Sequence, residues 1–213
     1  MNSNLTIFDF DGTLIKGDSF LVFARLVAPK YSGLLIVYAL AILAKVKFIT
    51  NRQFKEIIVN NYWIRLSDKE KSDIYSQMLD FMRNNSRTFL FDKINTIIDE
   101  GEIVLILSAS LGIYLIPFMG NMAPEAHVCA SMVNIINGHV NIMNLYREEK
   151  IQIVRKYKFE FTPANITFYT DSYNDIFVTN ECDITYLVNA SRSTLNKFLK
   201  NTNKKVFALQ VKN

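Results

Sequence analysis

Short apolar runs that end in acidic or hydroxyl residues constrain the fold of this 213-residue chain most strongly. Residues 103–107 are all β-branched or leucine, a composition typical of a strand buried on both faces of a sheet. Similar runs occur at residues 5–10, 165–170 and 184–188, and stretches with helical periodicity separate them. This alternation predicts an α/β fold, with a Rossmann-like doubly wound parallel sheet.

The longest interruption of the alternation lies between the first two strands. Residues 18–85 contain few glycines, and their apolar residues recur with the helical period. Within this block, Ser67 and Glu70 have the spacing of a capping box, which marks the start of a helix. We therefore predict a helical cap inserted after the first strand, with the cap at residues 15–85 and a catalytic core formed by residues 1–14 and 86–213.

Further elements complete the predicted sheet and its flanking helices. The dipeptide Asn137-Gly138 between alternating segments is a strong hairpin signal. We predict helices at residues 86–100 and 148–157, a strand at residues 127–131, a hairpin within residues 132–143 and an edge strand at residues 206–210.

The first strand leads into the pattern Asp9-x-Asp11-Gly12-Thr13. Carboxylates two residues apart on an extended segment point to the same side of the chain. Because two such groups repel each other, they favour a cation or a proton between them. Gly12 permits the tight turn by which the chain leaves the sheet. This combination predicts a functional site at Asp9 and Asp11.

Three other polar groups follow predicted strands or begin a predicted helix. They are Ser108, Lys150 and the pair Asp171 and Asp175. Taken alone, Ser108 and Asp171 could be helix caps, and Lys150 could be a surface lysine. In a doubly wound sheet, however, ligands bind beyond the carboxyl ends of the strands. We therefore expect Ser108 and Asp171 to meet Asp9 and Asp11 at one edge of the sheet, with Asp175 one helical turn after Asp171, where Mg²⁺ prefers such oxygen ligands. Lys150 gains significance only from its association with these groups.

The order and spacing of these groups resemble the haloacid dehalogenase superfamily over nearly the whole chain. The segment Asp171-Ser172-x-Asn174-Asp175 and the cap position are similar to the phosphoserine-phosphatase-like branch. The resemblance implies an Mg²⁺-dependent phosphatase, in which Asp9 becomes phosphorylated and Asp11 acts as general acid and base.

The same resemblance implies a role for each remaining site residue. Thr13, Ser108, Ala109 and Lys150 would bind the phosphate; Asp9, Asp171 and the backbone carbonyl of Asp11 would hold Mg²⁺; Asp175, Ser172 and Asn174 would support the site.

The substrate is harder to predict than the reaction. Asp18 lies where phosphoserine phosphatases carry an acidic residue that contacts the substrate amino group. The arginine that binds the serine carboxylate in those enzymes has no clear counterpart, because apolar and amide residues surround that position in residues 54–61. We therefore predict a small phosphorylated metabolite rather than phosphoserine itself.

Residues 34–44 form an uninterrupted apolar run within the predicted cap, between Lys30 and the pair Lys45 and Lys47. Spanning a bilayer takes about 20 apolar residues, so the run is too short for a transmembrane helix. It predicts a buried cap helix. The alternative is a helix in the membrane interface of a lipid-phosphate phosphatase, since relatives that act on phosphatidylglycerophosphate have similarly apolar caps.

Composition excludes several other classes of protein. The net charge of +4 is mild and no dense basic stripe is present, which argues against nucleic-acid binding. The N-terminus lacks the pattern of a signal peptide, so we expect a cytoplasmic protein. A non-enzymatic phosphoacceptor is disfavoured because its aspartate normally follows the third strand. Cys129, Cys182, His127 and His139 are isolated and lack zinc-ligand spacing.

Overall fold

The computed structural model describes residues 3–29 and 32–211, and its centre is one seven-stranded sheet. The strand order is β4-β3-β2-β1-β5-β6-β7, and neighbouring strands are parallel except for β3 and β4. This confirms the predicted α/β fold. The strands are β1 (Leu5–Phe8), β2 (Ile103–Leu111), β3 (His127–Ile136), β4 (His139–Met143), β5 (Ile166–Thr170), β6 (Ile184–Val188) and β7 (Lys205–Leu209).

Helices cover both faces of this sheet, as the two separate apolar clusters on its alternating side chains indicate. Four of the described helices, α1 to α4, lie between β1 and α5. The helices are α1 (Ser19–Val27), α2 (Ser32–Lys45), α3 (Asn51–Asn61), α4 (Asp68–Asn84), α5 (Thr88–Asp99), α6 (Gly112–Met122), α7 (Glu148–Phe161), α8 (Ile176–Thr179) and α9 (Arg192–Asn201).

The pairing of the central strand β1 with its two neighbours determines which residues lie together at the edge of the sheet. Phe8 is paired with Ile106 of β2 on one side and with Tyr169 of β5 on the other. The residues that follow these three positions therefore emerge at the same edge of the sheet. This register brings Asp9 close to the segments that begin at Ser108 and Asp171.

Strand β2 differs from the predicted strand, which ended at Leu107 and was followed by a helix. The observed strand continues to Leu111, and α6 begins at Gly112. Its pairing with β3 moves from Leu107 opposite Cys129 to Leu111 opposite Ser131, so β2 contains two extra residues between these pairs. The segment 108–110 is therefore a bulge, and a bulge releases backbone groups from the ladder.

The predicted hairpin is present as β3 and β4. Its turn residues Asn137 and Gly138 have φ values of 52° and 76°, the left-handed conformation that this two-residue turn requires. Strand β3 is longer than predicted, because the first arm of the hairpin continues the strand that starts at His127.

The apolar helix α2 corrects the prediction of a buried cap helix. Among its described residues only Gly33 and Val37 are buried, whereas Leu35 is 73% and Ile42 is 62% exposed. Beyond its end, Phe48 is 80% exposed. Lys30, which flanks the apolar run on its N-terminal side, lies outside the described residues. Within the described ranges, no helix has the length and hydropathy needed to cross a bilayer.

The inserted helices share one hydrophobic cluster with the sheet. Phe20 of α1 packs edge-on against Phe54 of α3, with ring centroids 5.1 Å apart. Phe23 of α1 contacts the ring of Tyr114 in α6 at 5.5 Å. Helix α1 is thus packed against both the other inserted helices and the helix that follows the β2 bulge.

Candidate active site

Asp9 follows β1 and is buried at the centre of the sheet edge. Its backbone N–H donates to the carbonyl of Tyr169 at 2.9 Å, which extends the pairing with β5 by one residue. Its side-chain Oδ1 accepts from Lys150 Nζ at 2.9 Å. Lys150 lies in the first turn of α7 and also donates to Asp175 Oδ1 at 3.0 Å. The structure therefore brings together the predicted residues Asp9, Lys150 and Asp175.

The segment after β5 is fixed by its own hydroxyl groups. Thr170 Oγ1 donates to Asp175 Oδ2 at 2.9 Å and accepts from the Ser172 backbone N–H at 3.1 Å. Ser172 Oγ in turn accepts from the Asn174 N–H at 3.3 Å. Residues Tyr173–Asp175 form a 3₁₀ turn. Ser172 thus stabilises the turn that aims Asp175 at Lys150.

Asp171 lies against the turn that follows Asp9. A Cβ atom at Gly12 would overlap the Asp171 carboxylate, and Gly12 has a φ of +74°. Only glycine meets both conditions without strain. The buried Thr13 places its hydroxyl 3.5 Å from Asp171 Oδ1. The two predicted metal-binding segments are therefore in direct contact.

Ser108 and Ala109 lie in the bulge of β2, and Ala109 lines the cavity described below. Ser108 is buried, and its Oγ accepts from the Ser110 N–H at 3.1 Å. The carbonyl of Ala109 points away from the ladder and accepts from Ser131 Oγ at 2.6 Å and from Lys55 Nζ at 2.5 Å. These bonds from Ser131 of β3 and Lys55 of α3 fix the backbone of the bulge.

Asp11 is held by residues that the sequence did not indicate. Its Oδ1 accepts from the Ser19 N–H at 2.8 Å, and its Oδ2 accepts from Ser19 Oγ at 3.1 Å and from Ser110 Oγ. Burial, followed by the charge of Asp18, raises the pKa of Asp11 to about 6. A carboxyl group with this pKa exchanges its proton readily near neutral pH.

Asp18 lies at the rim of the same region. Its Oδ1 accepts from the Leu21 N–H at 2.8 Å, so it is the N-cap of α1. The side chain also lines the cavity described below. Its capping bond gives Asp18 a structural function in addition to the predicted contact with substrate.

Lys55 is the most informative residue that sequence reasoning missed. It lies on α3, it is only 5% exposed, and its ammonium donates to two neutral oxygens, those of Ala109 and Asn144, the latter at 2.6 Å. Burial lowers its pKa to about 8. The sequence contained a signal for the burial of Lys55, because this residue lies one helical turn before Val59 and next to Phe54, both of which are buried.

Arg87 was also missed, since an arginine just before a helix resembles a surface residue. It is 8% exposed and precedes α5, and its Nε and Nη1 have no hydrogen-bond partner within the described residues. Its charge acts to lower the pKa of Asp171. Arg87 therefore offsets part of the negative charge of the site without an ion pair.

A cavity of about 700 Å³ opens between the inserted helices and the sheet edge. Asp11, Ser110 and Lys55 line it, together with Asp18 and Asn174. Most of the charged side chains around it are cationic, which gives the cavity a positive character. These cationic residues are Lys45, Lys47, Arg52, Lys55 and Arg147.

The carboxylates next to the cavity suit a hard divalent cation. Asp9, Asp171 and Asp175 are three acidic side chains, and Lys150 is the ammonium in ion-pair contact with Asp9 and Asp175. Burial, together with the charges of Asp175 and Asp171, raises the pKa of Asp9. Across residues 3–29 and 32–211, no group of three His, Cys, Asp or Glu side chains forms a metal cluster. Mg²⁺ needs only one or two carboxylates and keeps several waters, so Asp9 and Asp171 fit it.

Comparison with known proteins gives matches over most of the chain. A family model described as haloacid dehalogenase-like hydrolase matches residues 6–177. A solved protein of unknown function from Bordetella pertussis Tohama I is similar in fold, with a TM-score of 0.82, 19% identity and coverage of 97% of this chain and 99% of that chain. A substrate-bound phosphoserine phosphatase complex is also similar, with a TM-score of 0.69, 14% identity and coverage of 97% and 93%. A search of curated proteins found no match.

The raised carboxyl pKa values predict how stability depends on pH. In Mg²⁺-free protein the pKa of Asp11 and that of Asp171 are each about 6, above the ordinary 3.8. Between these values the folded state binds more protons than the unfolded state, so the free energy of unfolding should fall as the pH rises. We expect urea unfolding in EDTA to show this fall, and added Mg²⁺ to stabilise the protein more at about pH 7 than at about pH 5.

In the variant Asp171→Asn, the free energy of unfolding should decrease less as the pH rises. The variant should also lose most of the stabilisation by Mg²⁺. Asp92→Asn, at an exposed position of α5, is the matched control and should behave like the wild type. An unfolding midpoint that does not respond to Mg²⁺ at any pH would contradict the assignment of this site to a cation.

Proposed function

This chain belongs to the haloacid dehalogenase-like hydrolases, and on that premise we propose that it is an Mg²⁺-dependent phosphatase that transfers the phosphoryl group to Asp9. One observation carries the proposal. Asp9 is buried at the end of the central strand, and Asp11, which lines the adjoining cavity, emerges two residues later. This arrangement supports Asp9 as the nucleophile and Asp11, which lines the cavity, as the general acid.

The contacts of Asp9 support its use as a nucleophile. Lys150 holds Oδ1, and no hydrogen bond from the described residues occupies Oδ2. Oδ2 is therefore free to attack phosphorus, while Lys150 keeps the side chain oriented. The new bond joins Asp9 to phosphorus as the bond from phosphorus to the leaving alcohol oxygen breaks.

Asp11 supplies the proton transfers of both halves of the reaction. In the first half it donates its proton to the leaving oxygen. In the second half it takes a proton from the water that attacks the aspartyl phosphate, which restores Asp9 and releases inorganic phosphate. A pKa of about 6 suits both directions of transfer near neutral pH.

The remaining residues bind the phosphate and the cation. The hydroxyl of Ser108, the backbone of Ala109, Thr13 and Lys150 are proposed to hold the phosphate oxygens. Asp9, Asp171 and the carbonyl of Asp11 would hold Mg²⁺, which when bound offsets the repulsion between the phosphate and the nucleophile. Asp175, Ser172 and Asn174 would support this arrangement through the contacts to Lys150 and within the 3₁₀ turn.

The positive lining of the cavity favours a small phosphorylated metabolite as substrate. Lys55 is central to this choice, because a buried ammonium bound only to neutral oxygens is poorly stabilised. An anionic group of the substrate within reach of Lys55 would add to the counter-charge that Asp11 and Asp18 provide. Asp18 is proposed to contribute to specificity at the rim.

Replacement of Asp9 by Asn should abolish phosphatase activity and leave the fold intact, because the amide is not a nucleophile. We expect Mg²⁺-dependent hydrolysis of 4-nitrophenyl phosphate to fall below a few per cent of the wild-type rate in steady-state assays. Asp92→Asn should retain full activity. Substantial activity of Asp9→Asn would show that the nucleophile is another residue, and a wild-type protein that is labelled by acetyl phosphate without turnover would indicate a phosphoacceptor.

Replacement of Lys55 by Met should weaken the binding of substrates that carry a second anionic group. We expect the KM for 3-phosphoglycerate to rise by about tenfold, roughly 1.4 kcal/mol, and to rise more than the KM for 4-nitrophenyl phosphate. Lys69→Met, at an exposed position of α4, is the matched control. Equal effects on both substrates would mean that Lys55 stabilises the bulge without contacting substrate.

The exposed apolar face of α2 favours a second candidate, a lipid-phosphate phosphatase attached peripherally to a membrane. Leu35 and Ile42 lie on this face, while Ala41, Ala44 and Lys45 near the end of the same helix line the cavity. A helix that inserted into the lipid interface would therefore bring the cavity to the membrane surface. A cytoplasmic protein with such a peripheral contact is consistent with this candidate.

Vesicle binding separates the two candidates. If the substrate is a lipid phosphate, the protein should sediment with phosphatidylglycerol vesicles, and Leu35→Glu should abolish the binding because it places a charge on the apolar face. Phe159→Glu is the matched control, because Phe159 of α7 is 87% exposed and lies outside the inserted helices. Protein that remains in the supernatant would eliminate the lipid candidate.

A further inference from the structure

The carboxylate of Asp11 is bound by a cluster of buried hydroxyl groups from three separate elements. Ser19 begins α1, Ser110 lies in the bulge of β2, and Tyr114 lies in the first turn of α6. All three are almost completely buried. Ser19 Oγ lies 2.9 Å from Ser110 Oγ and 3.2 Å from Tyr114 Oη, so the hydroxyls contact one another as well as Asp11.

The number of protons in this cluster restricts how it can be bonded. Ser19 has one hydroxyl proton, which it can donate either to Tyr114 Oη at 3.2 Å or to Asp11 Oδ2 at 3.1 Å. When Ser19 donates to Asp11, Tyr114, whose Oη accepts from the Leu111 N–H at 3.2 Å, can donate its own proton to Ser19 Oγ. Ser19 and Ser110 can then both donate to Asp11 Oδ2. The bonds run in one direction, from the backbone of Leu111 through Tyr114 and Ser19 to the carboxylate. This pattern stabilises Asp11 in its ionised form.

The two oxygens of Asp11 differ in what their partners can do. Oδ1 accepts from the backbone N–H of Ser19, which can only donate. Oδ2 accepts from hydroxyls, which can turn and bond elsewhere. When Asp11 is protonated, Ser110 can donate to Ser19 Oγ at 2.9 Å instead of to Asp11. Oδ2 is therefore the oxygen that can carry a proton without leaving a neighbouring N–H or O–H donor unpaired.

We propose that Ser110, supported by Ser19 and Tyr114, is a positioning residue that keeps the exchangeable proton of Asp11 on Oδ2 and directs it into the cavity. The proposal rests on the proposed phosphatase function. In the first half-reaction one proton leaves Oδ2 for the leaving oxygen, and the Ser110 and Ser19 hydroxyls turn back to donate to the new carboxylate. Each serine keeps its own proton, so the proton count balances.

The position of Ser19 extends this inference to the inserted helices. Ser19 contributes two of the donors to Asp11, and it begins the helix whose Phe23 packs against Tyr114. Asp11 is therefore aligned only when α1 is seated on α6. Correct seating of the inserted helices becomes a condition for proton transfer.

The dependence on the leaving group tests the proposal. A nitrophenolate leaves readily without a proton, whereas an alkoxide requires one. The test compares kcat/KM for 4-nitrophenyl phosphate with kcat/KM for glycerol 3-phosphate, because this constant reports the transfer of the phosphoryl group to Asp9. Ser110→Ala should raise the ratio of aryl to alkyl ester by about tenfold or more, and Ser110→Thr, which keeps the hydroxyl, should restore the wild-type ratio.

Tyr114→Phe provides a second variant that removes only a hydroxyl and keeps the ring against Phe23. It should shift the ratio in the same direction and by a smaller factor, because it acts through Ser19. Ser86→Ala, which removes a hydroxyl that donates to the Met82 carbonyl at 2.7 Å away from the cluster, should leave the ratio unchanged. Thermal unfolding of each variant monitors folding.

Two outcomes overturn the proposal in different ways. If Ser110→Ala and Tyr114→Phe lower kcat/KM equally for both esters, the hydroxyls do not act through proton transfer, although the phosphatase function stands. If the wild type hydrolyses neither ester, the proposed function itself is wrong, and the positioning inference fails with it.

Discussion

Lys150 lies between Asp9 and Asp175, and the arrangement of the whole site depends on this buried contact. Lys150 lies at the start of α7 and joins this helix to the end of β1 and to the turn after β5. Its partner Asp9 is 141 residues away in sequence, and its partner Asp175 is 25 residues away. Loss of the ammonium would leave two buried carboxylates without a counter-charge, which is costly in a low-dielectric environment. The contact therefore explains why three distant segments keep one geometry.

The candidate site contains residues from the inserted helices as well as residues from the edge of the sheet. The sheet supplies Asp9, Asp171 and Asp175, while α1 supplies the donors to Asp11 and α3 supplies Lys55. Both contributions converge on the bulge of β2, where Ser110 binds Asp11 and Ala109 binds Lys55. The proposed acid/base residue Asp11 and the proposed substrate contact of Lys55 are thus connected through consecutive residues of the bulge.

The sequence was sufficient for the fold and for the side chains at strand ends, because period, strand composition and the parallel-sheet rule act locally. It predicted β6 to the residue and the convergence of Asp9 and Asp171 at one edge of the sheet. Lys150, in contrast, was assigned to this site only from the family resemblance. It failed where the outcome depended on distant contacts. Hydropathy alone does not determine whether other residues cover α2. The buried position of Lys55 depends on its contact with Asn144, which lies 89 positions further along the chain. The extension of β2 depends on its pairing with β3.

The bulge of β2 also changes the face on which the chain proceeds. Leu105 and Leu107 pack in the cluster with Ile7 and Phe168, whereas Leu111 packs in the opposite cluster with Phe10 and Tyr114. Strict alternation would keep all odd-numbered residues of the strand on one side. The chain therefore makes a half-rotation within 108–110. That rotation places α6 in the layer of the inserted helices. Removal of the two extra residues, with regular alternation restored, would therefore place α6 on the opposite side of the sheet.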